Sequence, residues 1–276
     1  MSKTFQLKPA ESRAAVALTL SDGRLLVANS ENGNLKLRDA YSVTKESDWA
    51  TIPSATVAGM GLCLKNGNVF VSTWNKLIFR FNRNGEKLGQ WAVEASSSGV
   101  ISVTDDCNVV LAVRDNSKKI LTYSIYGELI REIRMKTDIL QSRLIKAMQL
   151  SNGHFLVSYG EGDDQVHGIE IIDANGQTQK SHGWRKGSGT GQLRDPRDFV
   201  VDVFGNVLVA DSGNGRIILL DSQLKLQREL VSTEHGLNHP FGIILDEWQL
   251  MYVADNKLDP TTNKLTEGRV MVFKIR

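Results

Sequence analysis

Two stretches of the chain concentrate positive charge that could contact phosphates or carboxylates. Residues 134–146 contain four basic residues and one acid, and residues 180–197 contain five basic residues and one acid. Together they carry +7, whereas the formal net charge of the chain is +2, so the remaining residues carry −5. A basic sector of this kind attracts polyanions and acidic partners. The bases predicted to bind a ligand are Arg134, Lys136, Arg143, Lys146, Arg185, Lys186, Arg194 and Arg197.

Three aromatic residues in the same class of predicted loops could add stacking contacts: Trp74, Tyr159 and Trp184. Stacking of a base on an aromatic ring contributes about 1–3 kcal/mol, so the combination suits single-stranded RNA. It suits equally well an acidic peptide that is anchored by tryptophan and arginine. The predicted ligand is therefore RNA or an acidic partner protein, and the residues leave that choice open.

Histidines are the residues that most suggest catalysis. Predicted loops on the same face contain His167, His182, His235 and His239. Three imidazoles can bind zinc and leave a position for water. However, their spacing fits no fixed ligand motif, and no Gly-x-Ser-x-Gly elbow is present. We therefore predict a binding protein without a cofactor or a catalytic metal, with a metal-dependent enzyme as the alternative.

A repeat reveals the elements that must position these residues. A short turn followed by an apolar run recurs between Asp22 and Ala254, with its second turn residue at positions 23, 67, 107, 153, 205 and 249. The average spacing of about 45 residues is typical of propeller blades. We predict an all-β, six-bladed β-propeller of four-stranded antiparallel blades, formed as one domain by residues 1–276. Where Cys107 and Gln249 replace glycine, a looser turn is expected.

The strands of one blade can be placed in the second repeat. They are predicted at residues 61–64, 69–72, 76–81 and 87–93. After the last predicted strand, residues 269–275, the chain ends without a fourth strand for that blade. Residues 4–7 precede the first complete repeat and can supply it. We predict that this N-terminal strand completes the sixth blade and closes the propeller, since an open array would expose a sheet edge.

The fifth repeat carries a denser signature, which runs from Gly187 to Ile217 and includes Asp195-Pro196-Arg197, Val209-Ala210-Asp211, Asn214 and Arg216. This closely resembles the NHL repeat of the C-terminal domain of tripartite-motif proteins, and residues up to 273 match it more loosely. The resemblance implies a six-bladed propeller that binds RNA or protein on its inter-blade loops. In tripartite-motif proteins this domain follows others, so the resemblance also allows the chain to be one domain excised from a longer protein. A protein scaffold or the substrate-reading end of a ubiquitin ligase is the alternative. Six-bladed relatives also include metal-dependent lactonases and a lyase, so a metal-dependent propeller enzyme is the less favoured alternative.

Asp211, Asn214 and Arg216 are predicted to be structural, because an aspartate can cap a turn and pair with a nearby arginine. Two cysteines, Cys63 and Cys107, are expected to form neither a disulfide framework nor a zinc site. The first residues lack the apolar run of a signal peptide, and no segment approaches a membrane span. The expected protein is cytoplasmic, monomeric as an isolated domain and without membrane contact.

Overall fold

The computed structural model describes residues 3–6, 14–20, 23–29, 33–39, 46–53, 56–136, 142–246, 248–258, 261 and 265–275. The described residues form strands that pair into six four-stranded antiparallel sheets. These sheets are the blades of a six-bladed β-propeller, so the predicted fold class is confirmed. The chain divides into two compact units, residues 1–57 with 197–276 and residues 58–196.

The first unit holds three blades. The first blade contains β2 (Ala14–Thr19), β3 (Arg24–Asn29), β4 (Asn34–Asp39) and β5 (Glu46–Thr51). The fifth blade contains β18 (Pro196–Val201), β19 (Val207–Asp211), β20 (Arg216–Leu220) and β21 (Leu226–Val231). The sixth blade contains β22 (His239–Leu245), β23 (Leu250–Leu258), β24 (Leu265–Lys274) and β1 (Lys3–Gln6). Short 3-10 turns span Ser212–Asn214 and Thr233–His235.

The second unit holds the other three blades. The second blade contains β6 (Val57–Leu62), β7 (Val69–Thr73), β8 (Leu77–Phe81) and β9 (Lys87–Ala92). The third blade contains β10 (Ile101–Val103), β11 (Val109–Ala112), β12 (Lys119–Tyr123) and β13 (Leu129–Arg134). The fourth blade contains β14 (Leu144–Gln149), β15 (Phe155–Tyr159), β16 (Gly168–Ile172) and β17 (Thr178–Gly183).

In four blades the second strand is buried along its whole length. Every residue of β7, β11, β15 and β19 is buried, and each strand reads as an almost continuous apolar run. A strand covered on both faces has this pattern, whereas a half-exposed strand alternates. In the second unit, buried side chains of the third and fourth blades form one shared cluster, which includes Val110, Phe155 and Val157. Burial of each such side chain contributes about 1.5–3 kcal/mol, which fixes neighbouring blades of a unit against each other.

The N-terminal strand completes the sixth blade, as predicted. β1 pairs antiparallel with β24, and Lys3 lies opposite Val272 while Phe5 lies opposite Val270. The strand begins one residue earlier than expected, and predicted residue Leu7 lies outside the described residues. The last strand is longer than expected, Leu265–Lys274.

The turns between first and second strands keep one geometry whether or not glycine is present. The φ angle is +82° at Gly205, +65° at Cys107 and +61° at Gln249. The N–H of Cys107 still donates to the Thr104 carbonyl at 2.8 Å. The expectation of looser turns at Cys107 and Gln249 is therefore wrong, because the flanking strands impose the turn on residues that disfavour it.

Cys63 and Cys107 are joined by a disulfide, with their Cα atoms 5.0 Å apart. No disulfide framework was expected, yet this single disulfide forms, because residues 44 apart in sequence occupy neighbouring positions in two adjacent blades of the second unit. Cys63 directly follows the first strand of its blade: a strand to residue 64 was predicted, but β6 ends at Leu62. The predicted cytoplasmic location stays a prediction, and the disulfide removes one argument for it. In the described part of the chain, no helix is long and apolar enough to cross a membrane.

Candidate functional site

Loops at one end of the second unit meet in a network of hydrogen bonds and ion pairs. They follow β7, β11, β15 and β17 or lead into β14. In antiparallel blades, loops after the second strand lie at the same end as loops that lead into the first strand. We call residues 74, 114–118, 142–143, 160–167 and 184–195 the loop network.

An acidic segment, residues 161–164, lies at the centre of the loop network. The Glu161 carboxylate pairs with the guanidinium of Arg114 and lies 3.8 Å from that of Arg143. The Asp164 carboxylate accepts from the backbone N–H groups of Arg143 and Glu161, each at 3.0 Å. The segment therefore neutralises bases of two neighbouring loops and fixes the backbone between them.

Two lysines add further contacts within the loop network. The ammonium of Lys186 donates to the carbonyl of Gly162. Lys118 is buried, and its ammonium donates to the carbonyl of Ser142. Burial lowers the pKa of Lys118, and the charge of Asp164 partly offsets that effect. Both ammonium groups therefore bind acceptors of their own chain.

His167 is fully buried under the loop network, and both of its ring nitrogens are engaged. Nε2 lies 2.8 Å from the carbonyl oxygen of Asp164, so Nε2 carries the proton and donates it. Nδ1 accepts from the backbone N–H of Asp195 at 2.9 Å. Burial lowers the pKa of His167, as does the charge of Lys186, against the opposing effects of Asp164 and Asp195. The imidazole is thus held in its neutral form as a structural link between two loops.

Asp195 completes the link between residues 184–195 and residues 160–167. Its carboxylate accepts from the backbone N–H of Gly162 at 2.6 Å. Its φ of +52° lies in the left-handed region, which non-glycine residues seldom adopt, and Pro196 further favours an extended conformation at Asp195. The contacts to Gly162 and His167 therefore hold a backbone conformation that the local sequence disfavours.

Two of the three predicted stacking residues are accessible. Trp74 is 36% exposed, and the guanidinium carbon of Arg114 lies 4.7 Å from the centre of its ring. Trp184 is 49% exposed, and its backbone N–H donates to the carbonyl of His167 at 3.1 Å. Each tryptophan is thus attached through its neighbours to the same loop network.

Tyr159 is completely buried, so its predicted stacking role is wrong. It ends β15 opposite Gly168, and a side chain at position 168 would collide with its hydroxyl. The hydroxyl donates to the carboxylate of Glu170 at 3.0 Å. Burial raises the pKa of Tyr159 and also that of Glu170. Because Gly168 has no side chain, it leaves the space that the Tyr159 side chain occupies.

The eight predicted bases are spread over several elements. Only Arg143, Arg185, Lys186 and Arg194 belong to the loop network; Arg185 and Arg194 are exposed. The N–H of Lys136, two residues beyond Arg134, donates to the carbonyl of Gly176. Arg134 also lies opposite Lys119, and the N–H of Met135 donates to the carbonyl of Lys118, so Arg134 borders the loop network.

The remaining two bases also lie outside the loop network. Lys146 lies within β14 and is half-buried. Arg197 belongs to the first unit, where its guanidinium lies 5.4 Å from the centre of the Phe241 ring. The two basic stretches thus place four of the eight predicted bases in the loop network, and ligand binding by these bases stays a prediction.

The candidate zinc-binding histidines are dispersed among different elements. His182 lies in β17, His239 in β22, and His235 in the 3-10 turn Thr233–His235, where its ring faces Ser232. Among the described residues, no group of three His, Cys, Asp or Glu side chains is placed to hold a metal ion. The described geometry therefore provides no metal centre around these histidines.

Sequence reasoning missed the acidic half of the loop network. Residues 161–164 read Glu-Gly-Asp-Asp, which is visible in the sequence. They lie in a loop within the fourth blade, outside the two basic inter-blade stretches. Arg114 gave no such signal, since a lone arginine in a loop does not reveal its partner. The pairing of His167 with Asp195 depends on backbone placement and left no pattern in the sequence.

No protein-family model matches the chain, and no curated protein matches it. Solved structures are similar in fold. A catalytically inactive variant of virginiamycin B lyase from Staphylococcus aureus, with quinupristin, is 10% identical with a TM-score of 0.67; the match covers 100% of this chain and 99% of that one. A protein of unknown function from Bacteroides caccae is 16% identical with a TM-score of 0.61, covering 87% and 82% of the two chains.

The WD40 β-propeller domain of Doa1 is also similar, with 9% identity and a TM-score of 0.63, and the match covers 98% of this chain and 95% of that one. All three are similar to this chain in fold, at identities of 9–16%. They support the fold and leave the activity open, because propellers host both binding proteins and enzymes. Nothing in them is specific to the NHL repeat.

Proposed function

We propose that this protein is a non-enzymatic interaction module that binds a partner protein on the loop network. The observation that carries the proposal is a pair of exposed tryptophans, Trp74 and Trp184, on loops that many hydrogen bonds and ion pairs hold in place. Exposed tryptophans are common anchors of protein interfaces. Loops that are already ordered lose little conformational entropy when they bind, which favours affinity.

Internal charge neutralisation favours a protein over RNA as the ligand. Arg114 and Arg143 face Glu161, and the ammonium of Lys186 lies 3.8 Å from the carboxylate of Asp163. A phosphate backbone would meet these acids together with the bases, which weakens the electrostatic attraction on which RNA binding depends. A peptide can offer an apolar side chain to the tryptophans and a carboxylate to an exposed base such as Arg185.

The resemblance of residues 187–273 to the NHL repeat supports an interaction role, since part of that signature lies in the loop network. A role in substrate reading for a ubiquitin ligase belongs to the same proposal. The lyase neighbour shares the fold at 10% identity, which does not favour catalysis in this chain. Within the loop network, His167 is engaged at both nitrogens and is not placed to act as a general base.

Selection of peptides from a random phage library on the immobilised full chain tests the proposal. Selected peptides should bind the wild-type protein, and Trp184→Ala should weaken them by about 30-fold, the equivalent of about 2 kcal/mol for an interface anchor. Isothermal titration calorimetry measures both affinities.

Trp248→Ala is the matched control for this experiment, because Trp248 is 57% exposed but lies in the turn before β23, outside the loop network. Equal loss in both variants would contradict the proposed site. Binding of a fluorescent oligouridylate that Arg185→Glu with Lys186→Glu abolishes, without any peptide binding, would establish RNA as the ligand instead.

A further inference from the structure

The link between His167 and Asp195 is suited to respond to protons. A neutral imidazole with its proton on Nε2 satisfies both neighbours, since Nε2 donates to the Asp164 carbonyl and Nδ1 accepts from the Asp195 N–H. A second proton on Nδ1 would face the backbone N–H of Asp195, and two donors cannot bond to each other. Protonation therefore breaks the contact that holds Asp195.

Asp195 is held in a conformation that it would leave once released. Its φ is +52°, and it precedes Pro196. Both features favour an extended backbone for a residue other than glycine. Its carboxylate, which now accepts from Gly162, could turn to the protonated imidazole, and that would also free the N–H of Gly162.

The segment that Asp195 ends carries the binding residues of the loop network. Trp184, Arg185 and Lys186 lie between β17 and Asp195. The N–H of Trp184 donates to the carbonyl of His167 itself. This bond is made to the backbone of His167, so Trp184 lies one hydrogen bond away from the residue that would titrate, while the ring itself contacts Asp195 at the other end of the segment.

We propose that His167 is a proton-sensitive latch that holds residues 184–195 in their binding arrangement at neutral pH and releases them in acid. As regulation of the loop network, this inference rests on the proposed function, although the latch itself can be measured without a partner.

The charged groups around His167 set the direction of the response. Burial and the charge of Lys186 lower the pKa of His167, while Asp195 and Asp164 raise it, and the net pKa lies below the ordinary 6.5. The neutral form is thus favoured in the folded protein. Its contribution to stability is complete above the unfolded pKa and is lost as the pH falls through the folded pKa. The latch should be closed at neutral pH and open in acid.

Fluorine NMR of the full chain labelled with 5-fluorotryptophan tests the latch. The Trp184 resonance is assigned by its loss in Trp184→Phe, and Trp248 serves as an exposed internal reference. We expect the Trp184 resonance to shift between about pH 7.5 and about pH 4.5 with one midpoint below the ordinary histidine pKa of about 6.5, while Trp248 does not follow that midpoint. A Trp184 resonance that is unchanged across this range would overturn the latch.

Two variants sharpen the test. The Asn side chain of His167→Asn can still accept from the Asp195 N–H but does not titrate, so its Trp184 resonance should not respond to pH. In Asp195→Gly the backbone donor remains and a positive φ is tolerated, but the carboxylate that raises the His167 pKa is lost. Its midpoint should move to lower pH. An unchanged or higher midpoint in Asp195→Gly, or a retained midpoint in His167→Asn, would contradict the inference.

Peptides selected at about pH 7.5 separate this inference from the proposed function. Their affinity should fall in acid for the wild-type protein and stay independent of pH for His167→Asn. If peptide binding depends on Trp184 but is independent of pH in both proteins, the latch is contradicted and the binding site is retained. If the Trp184 resonance titrates but no peptide binds in a Trp184-dependent way, the proposed binding site is contradicted and the latch is retained.

Discussion

The fourth and fifth blades hold the loop after their second strand in two different ways. In the fifth blade, Asp211 ends β19 and is completely buried; its carboxylate accepts from Asn214 at 2.8 Å and from Arg216 at 2.7 Å. All three residues belong to one blade, which confirms their predicted structural role. In the fourth blade the equivalent last residue is Tyr159, opposite Gly168, and no such pair closes the loop.

The sixth blade repeats the arrangement of the fifth. Asp255 is fully buried, lies opposite Arg269 on the neighbouring strand and accepts from its guanidinium at 2.7 Å. The loop of the fourth blade instead sends Glu161 and Asp164 to residues of other loops. In the fifth and sixth blades the buried aspartate binds an arginine of the adjacent strand, whereas in the fourth blade the charged side chains contact neighbouring loops. The departure from the repeat is where the candidate site lies.

Removal of the Asp211–Arg216 ion pair of the fifth blade should have the largest effect on stability. Asp211→Ala leaves Arg216 and Asn214 without the buried carboxylate they share, and loss of one partner of a buried ion pair costs about 3–5 kcal/mol. We expect the melting temperature to fall by roughly 6–20 °C, at about 2–4 °C per kcal/mol for a domain of this size. Differential scanning calorimetry measures the shift. Asp163→Ala, at a fully exposed side chain of the fourth-blade loop, should leave the melting temperature unchanged.

Removal of the acidic charges of the fourth-blade loop should alter binding more than stability. Glu161→Gln with Asp164→Asn takes away two negative charges beside Arg114 and Arg143, while the amide oxygens can still accept from the neighbouring N–H groups. The uncovered bases should bind an oligouridylate about 10-fold more tightly at about 50 mM salt, and the gain should vanish near 200 mM. Fluorescence anisotropy measures the affinity.

The control for that change is Asp105→Asn with Asp106→Asn, which alters the net charge equally in an exposed turn of the third blade. An equal gain in both variants would show that net charge, and not local neutralisation, governs RNA affinity. No gain in either would contradict the account of the acidic segment.

The smallest expected effect concerns Glu170, the buried carboxyl group that binds the Tyr159 hydroxyl in the fourth blade. Burial raises the pKa of Glu170, so its ionised form is disfavoured in the folded protein. For a carboxyl with a raised folded pKa, the stability contribution is present below the unfolded pKa and is lost as the pH rises through the folded pKa. Glu170→Gln should therefore be more stable than the wild-type protein at neutral pH, by about 1 kcal/mol or less, and equal to it near pH 4. Urea unfolding at both values checks this, and a variant that is less stable at neutral pH would show that the carboxylate is needed by Tyr159.

Much of the fold could be predicted because its causes are local. The turn before each second strand requires a positive φ, which favours glycine at Gly23, Gly67, Gly153 and Gly205. Second strands covered on both faces must be apolar throughout. Even the pairing of β1 with β24 followed from counting strands, since the last blade lacked one.

The site was predicted only in part. Trp74 and Trp184 were placed correctly in exposed loops, because large side chains in polar loops are visible as such. Tyr159 was misplaced by one position, since it is the last residue of a buried strand and not the first of a loop. Among the predicted bases, Arg143 lies beside Glu161 and Lys186 beside Asp163, and these pairings cannot be read from the order of charges along the chain.

The sequence by itself determined the number of blades, the order of their strands and the positions of their turns, because each depends on residues within a few positions of one another. Only the tertiary structure decided which charges meet. The Asp195 carboxylate binds Gly162 across 33 residues, and the Asp195 N–H binds His167 across 28. No local pattern records such contacts, since they arise when strands of different blades bring their loops to the same end. For that reason the acidic neighbours of Arg143 and Lys186 are seen only in the folded structure.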